Sequence, residues 1–575
     1  MSSNIDTPRR KFIQGITAGG FLTGLGLWVP AWARYPSQAQ TYRGNQFNLA
    51  IHETPVNFTG APRLATTING SVPGPTLRWR QGEEVTIRVT NHLKHDTSIH
   101  WHGILLPANM DGVPGLSFKG IAPGETFTYR FRLQQSGTYW YHSHSMFQEQ
   151  QGMYGALVVE PSEPEPYAWD RDHVIILSDW TDEDPHRVFE KLKKQSDYYN
   201  FNQMTLGDLW EDIQSNGFKP TIQDRMMWGN MRMMSTDLAD MSAHTYTYLI
   251  NGMPPAGNWS GLFRKGEKIR LRFINGAAMT FFDVRIPGLK MTVVAADGQN
   301  IHPVTVDEFR IGVAETYDVI VEPDEEPYTI FAQSQDRTGF AKATLTPSEG
   351  LTAVVPELDP RPRLTMADMG MGHGQMSMGD SGQSNMKHDM GGMMSDSSLS
   401  HPPTESGNPA VDMQVMTPMA KLDDPGIGLR NNGRKVLTYA DLRSIFDDPD
   451  GRDPGREVTL HLTGHMERYI WSFNGIKFAD SEPLRLRYGE RMRITLVNDT
   501  MMEHPIHLHG VWSDLEDEQG NFMVRKHTIN MPPGTKRSYR VRADALGRWA
   551  YHCHLLFHME AGMFREVRIE EGGAV

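Results

Sequence analysis

The sequence predicts an all-β protein that contains three related β-sandwich domains. Three Asn-Gly pairs are each followed 12 or 14 residues later by a Gly-Glu pair, at Gly82-Glu83, Gly266-Glu267 and Gly489-Glu490. An alternating run follows each Gly-Glu pair, reads VTIRVTN, IRLRFIN or MRITLVN, and ends at an asparagine nine residues past the glycine. Alternation with a period of two is typical of half-buried strands. A chain of 575 residues is long enough for several such domains.

The repeats divide the chain into five parts. We predict a signal peptide at residues 1–33, a first sandwich domain at 34–165 and a second at 166–350. A flexible Met-rich linker is expected at 351–430, and the third sandwich domain at 431–575.

The amino terminus has the features of an export signal. Arg9-Arg10 is a twin-arginine pair, residues 15–29 are mostly apolar, and residues 31–33 read AWA. This order is typical of a secretory signal, and the twin arginine indicates the Tat route. The stretch is too short and too rich in glycine for a membrane anchor, and no later segment is apolar enough to span a membrane. We therefore expect a periplasmic protein whose mature chain begins near Arg34.

The second domain contains an insert, residues 183–242, that departs from the strand pattern. The stretches HRVFEKLKKQ and LGDLWEDIQ have helical periodicity, and Met227, Met231 and Met234 recur at helical spacing. A Met-rich packed face explains these methionines more simply than a copper path does.

A second Met-rich stretch occupies residues 366–419, between the second and third domains. It is rich in Gly, Ser and Asp and cannot bury enough apolar surface to order itself. Thioethers select Cu(I), which favours a copper-collecting loop over an inert linker. The candidate Cu(I) ligands are Met366, Met369, Met371, His373, Met376, Met378, Met386, His388, Met390, Met393 and Met394.

Composition excludes several classes of partner and site. The chain has 56 Lys and Arg against 69 Asp and Glu, a formal charge of −13 that disfavours nucleic acid. Cys553 is the only cysteine, which excludes a disulfide within the chain, a CxxC redox pair and any cysteine-rich zinc or iron–sulfur site. The 34 methionines and 23 histidines still provide abundant soft and borderline metal ligands.

Ten histidines lie in four short motifs. These motifs occupy matching positions of the first and third copies. The second copy is expected to carry Val284-Arg285-Ile286 and Gln333-Ser334-Gln335 at these positions. Pairs that remain only in the outer copies indicate a metal site that these two domains share. The histidines are His100, His102, His142, His144, His504, His507, His509, His552, His554 and His558.

Strand geometry separates two kinds of metal site. Residues i and i+2 of a strand face the same side, so each His-x-His pair directs two imidazoles toward one point. Four pairs supply eight nitrogens, more than one ion can use, which predicts a cluster of several metals. Cys553 lies between the histidines of its motif and faces the other side. There His504, His558 and Met563 can complete a blue-copper set of two imidazoles, a thiolate and a weak axial thioether.

The first copy provides an internal comparison for the mononuclear site. It has Thr97, Ser143 and Gln148 at the positions of the two histidines and the cysteine, so the mononuclear site is expected only in the third domain. Met153 matches Met563, which leaves a packing role open for Met563.

These motifs resemble those of three-domain multicopper oxidases. The signal, the Met-rich segment and the stretch MRMMSTDLADM resemble the bacterial copper-resistance protein A branch of that family. The resemblance covers nearly the whole mature chain and implies Greek-key cupredoxin domains with four copper ions per chain. Of these, one is type 1, one is type 2, and two form a type 3 pair. The resemblance implies His100 and His507 as type 2 ligands, and His102, His142, His144, His509, His552 and His554 as type 3 ligands.

The resulting prediction is an oxidase that takes single electrons from a reductant at Cys553 and reduces O₂ to water at the cluster. His552 and His554 flank Cys553, so these three residues form the expected electron path. Cu(I) is the expected reductant, in copper resistance, with other periplasmic copper-handling proteins as candidate partners. Phenols and Fe(II) are alternative reductants. A periplasmic copper-sequestering protein is the non-enzymatic alternative, and a nitrite reductase would not require eight cluster imidazoles.

Carboxylates near the cluster are expected to supply protons. Asp111, in the turn NMDGVPG, resembles a family acid with that role, although an Asp-Gly turn explains it nearly as well. Glu560 is the second candidate, because Met559 stands where some relatives carry an acid.

Overall fold

A computed structural model describes residues 39–371 and 400–572, which form six β-sheets in three pairs. The predicted signal peptide therefore lies outside the described residues. Within them, no helix has both the length and the apolar character that crossing a membrane requires. The three sheet pairs confirm the prediction of three β-sandwich domains.

The first domain packs a five-stranded sheet on a four-stranded one. The orders are β1-β4-β9-β8-β6 and β3-β2-β5-β7. The strands are β1 (Thr41–Arg43), β2 (Gln46–Val56), β3 (Arg63–Ile68), β4 (Gly74–Arg80), β5 (Glu84–Asn91), β6 (His100–His102), β7 (Thr126–Arg132), β8 (Gly137–His142) and β9 (Tyr154–Glu160).

The second domain has a six-stranded sheet and a five-stranded sheet, with three helices between its first two strands. These elements are β10 (Arg171–Thr181), α1 (Pro185–Lys194), α2 (Leu206–Asn216), α3 (Phe218–Met231), β11 (Tyr246–Ile250), β12 (Trp259–Leu262), β13 (Ile269–Asn275), β14 (Phe282–Arg285), β15 (Met291–Ala296), β16 (Gln299–Val306), β17 (Glu308–Ile311), β18 (Thr316–Val321), β19 (Tyr328–Ser334) and β20 (Phe340–Thr346). The sheet orders are β11-β10-β13-β18-β15-β16 and β12-β20-β19-β14-β17.

The third domain repeats this six-plus-five arrangement. Its elements are β21 (Arg456–His465), β22 (Ile470–Phe473), β23 (Leu484–Arg487), β24 (Arg491–Asn498), β25 (His504–Leu508), β26 (Ser513–Glu516), β27 (Phe522–Lys526), β28 (Thr528–Met531), β29 (Lys536–Arg542), β30 (Gly547–Cys553), α4 (Leu556–Glu560) and β31 (Phe564–Glu570). The sheet orders are β22-β21-β24-β29-β26-β27 and β23-β31-β30-β25-β28.

The repeated Asn-Gly pairs form the same turn in all three domains. Asn69, Asn251 and Asn474 have positive φ angles of 54°, 50° and 54°, a conformation that asparagine tolerates better than most residues. Each side-chain oxygen accepts a hydrogen bond from a backbone N–H of a neighbouring strand, at 2.7, 2.8 and 2.7 Å. The turn therefore links the two sheets identically in each repeat.

The asparagines that end the alternating runs close the loops that follow them. The amide groups of Asn91, Asn275 and Asn498 are buried, and each donates to two backbone carbonyls at 2.8–3.0 Å, at least one of them in the loop that follows. Removing any of them would leave buried carbonyls without a donor. The sequence repeat thus marks the loops that lead into β6, β14 and β25.

The insert in the second domain is helical, as its periodicity predicts. Asp184 caps α1, and Thr205 with Asp208 forms a capping box at the start of α2. Met227 and Met231 of α3 are half-buried and pack against the core. This packing agrees with the interpretation of these methionines as a packed face.

The linker differs from the flexible segment expected at residues 351–430. Residues 351–371 and 400–430 are described as irregular structure, and Met366, Met369 and Val415 are buried in the core. The segment cannot bury its apolar residues within itself, but the surfaces of the second and third domains supply the partners. Residues 372–399 lie outside the described part.

The strand pairing in the second domain is shifted by one residue from the predicted alignment. Asp283 pairs with Gln333, in the register that sets cluster histidines opposite each other in the other two domains. Val284 is therefore not the counterpart of His100, because the segment from Asn275 to this position is one residue shorter in the second domain.

A buried ion-pair network occupies these positions in the second domain. The Asp283 carboxylate lies 2.8 Å from Arg310 and 2.6 Å from Arg337, and the Asp283 and Arg337 side chains have no exposed surface. Burial would raise the pKa of Asp283, but the two guanidinium groups lower it below its ordinary value. The second domain thus holds a buried ion pair where its neighbours hold a cluster imidazole.

We expect Asp283→Ala to destabilise the protein strongly, by about 3–5 kcal/mol, because it leaves Arg337 buried without its carboxylate. Thermal unfolding should show a clearly lower Tm. The matched control is Asp480→Ala, since among the described residues Asp480 pairs only with exposed Lys477 and its side chain is 65% exposed. Equal Tm values for the two variants would contradict the role of the network.

Candidate metal centre

The histidine motifs of the first and third domains meet between these two domains. β6 and β8 carry one set of motifs, and β25 and β30 carry the other. Rings from opposite domains stack in two pairs. His100 and His509 have centroids 3.9 Å apart, and those of His102 and His507 are 3.8 Å apart.

Three groups of ring nitrogens divide this cluster, with ligand atoms within 4.8 Å of one another in each group. The groups are His100, His102 and His507; His102, His142 and His554; and His144, His509 and His552. The structure therefore brings the eight predicted cluster histidines together. The first group contains the pair expected at type 2 copper, and the other two divide the six histidines expected at type 3 copper.

Several ring nitrogens point into the cluster without a partner. Within the described residues, buried nitrogens that lack a hydrogen bond include Nε2 of His100, His142 and His507, Nδ1 of His102, and both nitrogens of His554. Buried polar atoms are nearly always hydrogen-bonded, so a group of orphaned nitrogens indicates a missing ligand. Imidazole nitrogens in such numbers suit copper, and the residues present therefore fit the metal that the motifs imply.

The opposite nitrogen of most rings is held by a fixed acceptor. Nδ1 of His100, His142 and His552 donates to a backbone carbonyl at 2.9–3.0 Å, and Nδ1 of His507 donates to the His527 carbonyl at 2.5 Å. These bonds place the proton on Nδ1 and leave the lone pair of Nε2 for a metal.

Asp111 joins the two halves of the cluster. One of its carboxylate oxygens lies 2.8 Å from Nδ1 of His509 and the other lies 3.3 Å from Nδ1 of His100. Gly112 allows this position, because a Cβ there would lie 1.8 Å from the Ile99 carbonyl oxygen. The predicted proton donor Asp111 is therefore in contact with histidines from both domains.

Most of the cluster histidines favour the neutral form. Burial, followed by repulsion from neighbouring imidazoles, lowers the pKa of most of them well below 6.5, and that of His552 to about 4. A neutral imidazole is the form that binds a metal, so the apoprotein is already prepared for ligation near neutral pH.

Glu149 is a cluster contact that sequence reasoning missed. Its Oε2 atom lies 2.6 Å from Nδ1 of His142, and its side chain is 3% exposed. Burial and the nearby Asp179 raise the pKa of Glu149 well above its usual range, so this carboxyl can hold a proton. The sequence MFQEQQG gave no periodic or motif signal for it.

Glu560, the other predicted proton donor, lies elsewhere. It is exposed at the end of α4, whereas seven of the eight cluster histidines are buried and His144 is half-buried. The structure therefore does not bring Glu560 to the cluster, because the short helix after His554 turns its carboxyl end toward solvent.

The predicted mononuclear ligands meet on the other side of β30. Sγ of Cys553 lies 3.5 Å from Nδ1 of His504 and 3.9 Å from Nδ1 of His558, and the two imidazole nitrogens are 3.2 Å apart. Met563 is fully buried, and its carbonyl accepts a hydrogen bond from the Cys553 N–H. Burial raises the pKa of the Cys553 thiol, so a bound cation has to replace the thiol proton.

The equivalent position in the first domain is filled by hydrogen bonds. The Thr97 and Ser143 hydroxyls both donate to the Gln148 side chain, at 2.6 and 2.8 Å, and Thr97 also contacts Sδ of Met153 at 3.3 Å. The methionine sulfur in this repeat therefore faces the site, which supports Met563 as the axial group.

Two further residues orient the mononuclear histidines from outside. Nε2 of His558 lies 2.8 Å from the Asp240 carboxylate, which also accepts the Tyr469 hydroxyl at 2.6 Å. Nε2 of His504 lies 2.8 Å from the Thr500 hydroxyl. Sequence reasoning missed Asp240 because its partner is 318 residues away and on another domain.

The region around His558 is closed to solvent. His558 has no exposed surface, and its ring stacks on Trp471 with centroids 4.1 Å apart. Asp240 belongs to the insert of the second domain, which covers the outer edge of this imidazole. A large molecule therefore cannot contact His558 directly.

The candidate Cu(I) ligands of the linker divide into two sets. Met366 and Met369 are buried in the core, and Met371 is half-buried beside it. Their sulfurs are therefore committed to packing. The others lie outside the described residues: His373, Met376, Met378, Met386, His388, Met390, Met393 and Met394.

Comparisons with known families and proteins agree with this arrangement. Three family models, each described as multicopper oxidase, match residues 50–164, 171–350 and 451–573. Copper resistance protein A from Escherichia coli is 62% identical, over 99% of this chain and 100% of the relative. Multicopper oxidase MmcO from Mycobacterium tuberculosis is 30% identical, over 91% of this chain and 87% of the relative.

Solved structures share the fold. A laccase from Botrytis aclada has a TM-score of 0.62 and 21% identity, over 94% of this chain and 90% of that chain. Fet3p, described as a multicopper oxidase that functions in iron import, has a TM-score of 0.62 and 18% identity, over 92% of this chain and 91% of that chain.

We expect Asp111→Ala to lower the copper affinity of the cluster about 10- to 100-fold, because two histidines lose the group that orients them. Metal content per chain after gel filtration measures this loss. Glu560→Ala is the comparison variant and should retain the copper content of the unaltered protein. A lower copper content in Glu560→Ala than in Asp111→Ala would contradict the assignment of these two carboxylates.

Proposed function

Because the chain belongs to the multicopper oxidase family, we propose that it oxidises Cu(I) to Cu(II), with O₂ as the electron acceptor, in copper resistance. The family identifies the chain as an oxidase that uses copper. The proposal concerns its substrate, the number of copper ions and its compartment.

The buried edge of His558 is the observation that carries the choice of substrate. Asp240 caps the outer nitrogen of this imidazole, and the insert covers the side chain. A phenol would have to displace this cover, whereas a small cation attracted by a carboxylate needs much less space. The name of the 62% identical relative, copper resistance protein A, supports the same substrate.

The proposed copper set has one type 1, one type 2 and two type 3 ions. His504, Cys553, His558 and Met563 would hold the type 1 ion, and His100 and His507 the type 2 ion. When bound, these coppers supply one-electron chemistry that matches single oxidations to the four-electron reduction of O₂. The proposed type 3 ligands are His102, His142, His144, His509, His552 and His554.

β30 connects the two centres covalently. Cys553 faces one side of the strand, while its neighbours His552 and His554 belong to two different groups of the cluster. The path from the thiolate to the cluster therefore crosses only adjacent backbone atoms. No mobile segment has to move between the two centres.

Two buried carboxyl groups support the proton part of the reaction. Asp111 faces Nδ1 of His100 and His509, and Glu149 faces Nδ1 of His142. Both can accept or return a proton at these nitrogens while the opposite nitrogens remain directed at the metals. We propose Asp111 and Glu149 as the proton relay and give Glu560 no part in it.

The twin-arginine signal supports a periplasmic location. Arg9-Arg10 and the apolar stretch after it have the order of a Tat signal. Cu(I) that reaches the periplasm would then be oxidised there, and other copper-handling proteins of that compartment are the proposed partners.

Copper-loaded protein should consume O₂ rapidly with Cu(I) as the sole reductant and at least 10-fold more slowly with a bulky phenol, because the insert covers His558. Oxygen uptake, metal content and the visible spectrum should be recorded together. Cys553→Ser should lose the blue colour and oxidase turnover while keeping most cluster copper. Faster turnover of the phenol would reject Cu(I) as substrate, and turnover by Cys553→Ser would reject the electron path.

Replacing the six methionines within residues 372–399 by serine should impair Cu(I) turnover far more than phenol turnover. Serine keeps the length and polarity of the segment but removes the thioethers that select Cu(I). The measurement is kcat/KM for both reductants. The matched control is Met226→Ser in α3, an exposed methionine outside the segment. An equal loss for both reductants, or for neither, would exclude a copper-collecting role.

A further inference from the structure

A second group of metal-ligating side chains lies in the third domain, apart from the eight-histidine cluster and the cysteine site. It consists of His401, Glu405, His461 and Asp499, with one potential ligand atom from each within 4.8 Å of the others. His461 is on β21, and Asp499 follows β24 directly. His401 and Glu405 belong to the irregular segment that packs on these strands.

The distances within this group are short. Nδ1 of His461 lies 2.6 Å from Oδ2 of Asp499, and Nδ1 of His401 lies 3.1 Å from Oε2 of Glu405. The same nitrogen of His401 is 3.4 Å from Oδ2 of Asp499, and Nδ1 of His461 is 3.8 Å from Oε1 of Glu405. Adjacent ligands at about 2.1 Å from one ion lie about 3.0 Å apart in a tetragonal site and about 3.4 Å apart in a tetrahedral site, and both values are within the range observed here.

The two carboxylates are buried without a matching arginine or lysine. Both side chains have no exposed surface, and in the described residues their ion-pair partners are His401 and His461. Oε1 of Glu405 is buried and has no hydrogen bond. Two uncompensated negative charges in the interior are unfavourable unless a cation joins them.

The hydrogen bonds of His401 point to the same conclusion. Its Nε2 lies 3.0 Å from the Val415 carbonyl, which can only accept, so Nε2 carries a proton. In the neutral ring the Nδ1 lone pair then faces Glu405 and Asp499. A lone pair directed at two anions requires a cation between them, which is either a proton on Nδ1 or a metal ion.

We propose that His401, Glu405, His461 and Asp499 form an additional metal site that takes a divalent transition-metal ion, Cu(II). Imidazoles are borderline donors and carboxylates are hard donors. Two of each suit Cu(II), whereas Cu(I) prefers soft donors such as thioethers. Among divalent ions of the first row, Cu(II) binds such sites most tightly. The divalent charge balances the two carboxylates. This proposal does not depend on the substrate of the oxidase.

The position of the site gives it a structural consequence. His401 and Glu405 are the first ligating residues after the stretch 372–399, and the ion would fasten them to β21 and β24. Asp499 directly precedes Thr500, whose hydroxyl contacts His504 of the mononuclear site. The bound ion would therefore hold both the segment that begins at residue 400 and the residue next to this contact.

The test counts copper in full-length protein that has been incubated with excess Cu(II) under oxidising conditions and freed of loose metal by gel filtration. The unaltered protein should retain one more Cu(II) per chain than Glu405→Gln or His401→Gln. The difference EPR spectrum should show Cu(II) bound by nitrogen and oxygen. Both variants should keep the blue absorption, because neither residue belongs to the oxidase centres.

Asp423→Asn is the matched control, since Asp423 is an exposed carboxylate in the same segment and should retain the additional ion. Added Cu(II) should also raise the Tm of the unaltered protein more than that of Glu405→Gln, because an ion that binds only the folded site stabilises it. Equal copper counts in all four proteins would show that the group is an ion pair only. Retention of Zn(II) instead of Cu(II) from an equimolar mixture would reject the copper assignment.

Discussion

The alternation of side chains along one strand is the constraint on which both candidate centres depend. Consecutive residues of a strand face opposite sides, so β30 turns His552 to the cluster and Cys553 to the other side, and His554 follows the strand back toward the cluster. The same rule sets His100 and His102 on one side of β6 around the buried Trp101. A shift of one residue in either register would exchange the two faces and separate each centre from its ligands.

Burial is the second requirement, and it explains why most of the rings have a fixed partner. Placing eight imidazoles in the interior lowers their basicity and leaves nitrogens without hydrogen bonds. Asp111, Glu149, Asp240 and backbone carbonyls hold the outer nitrogens of most rings, so the lone pairs of these rings are directed inward. These nitrogens without hydrogen bonds destabilise the apoprotein. Metal binding would give them a partner and so remove the destabilisation.

The second domain shows how the same fold is stabilised without a metal. Its site positions hold Asp283 between two arginines, and the first domain fills its mononuclear position with Thr97, Ser143 and Gln148. In both domains, polar side chains form hydrogen bonds or ion pairs with one another at positions where a neighbouring repeat has side chains that can bind a metal. The insert of the second domain then takes a different role, because it brings Asp240 over His558.

The amino-acid sequence alone predicted the three sandwiches, the helical insert and the ten histidines with Cys553, because strand period, turn residues and motif spacing are local properties. It did not determine the contacts of Asp240, Glu149 and Glu405, whose partners are remote in the chain or belong to no motif. It also placed the second-domain alignment one residue late and expected Met366 and Met369 to be free. These features follow from strand pairing and from surfaces that other domains supply, and both arise only when distant parts of the chain come together in the fold.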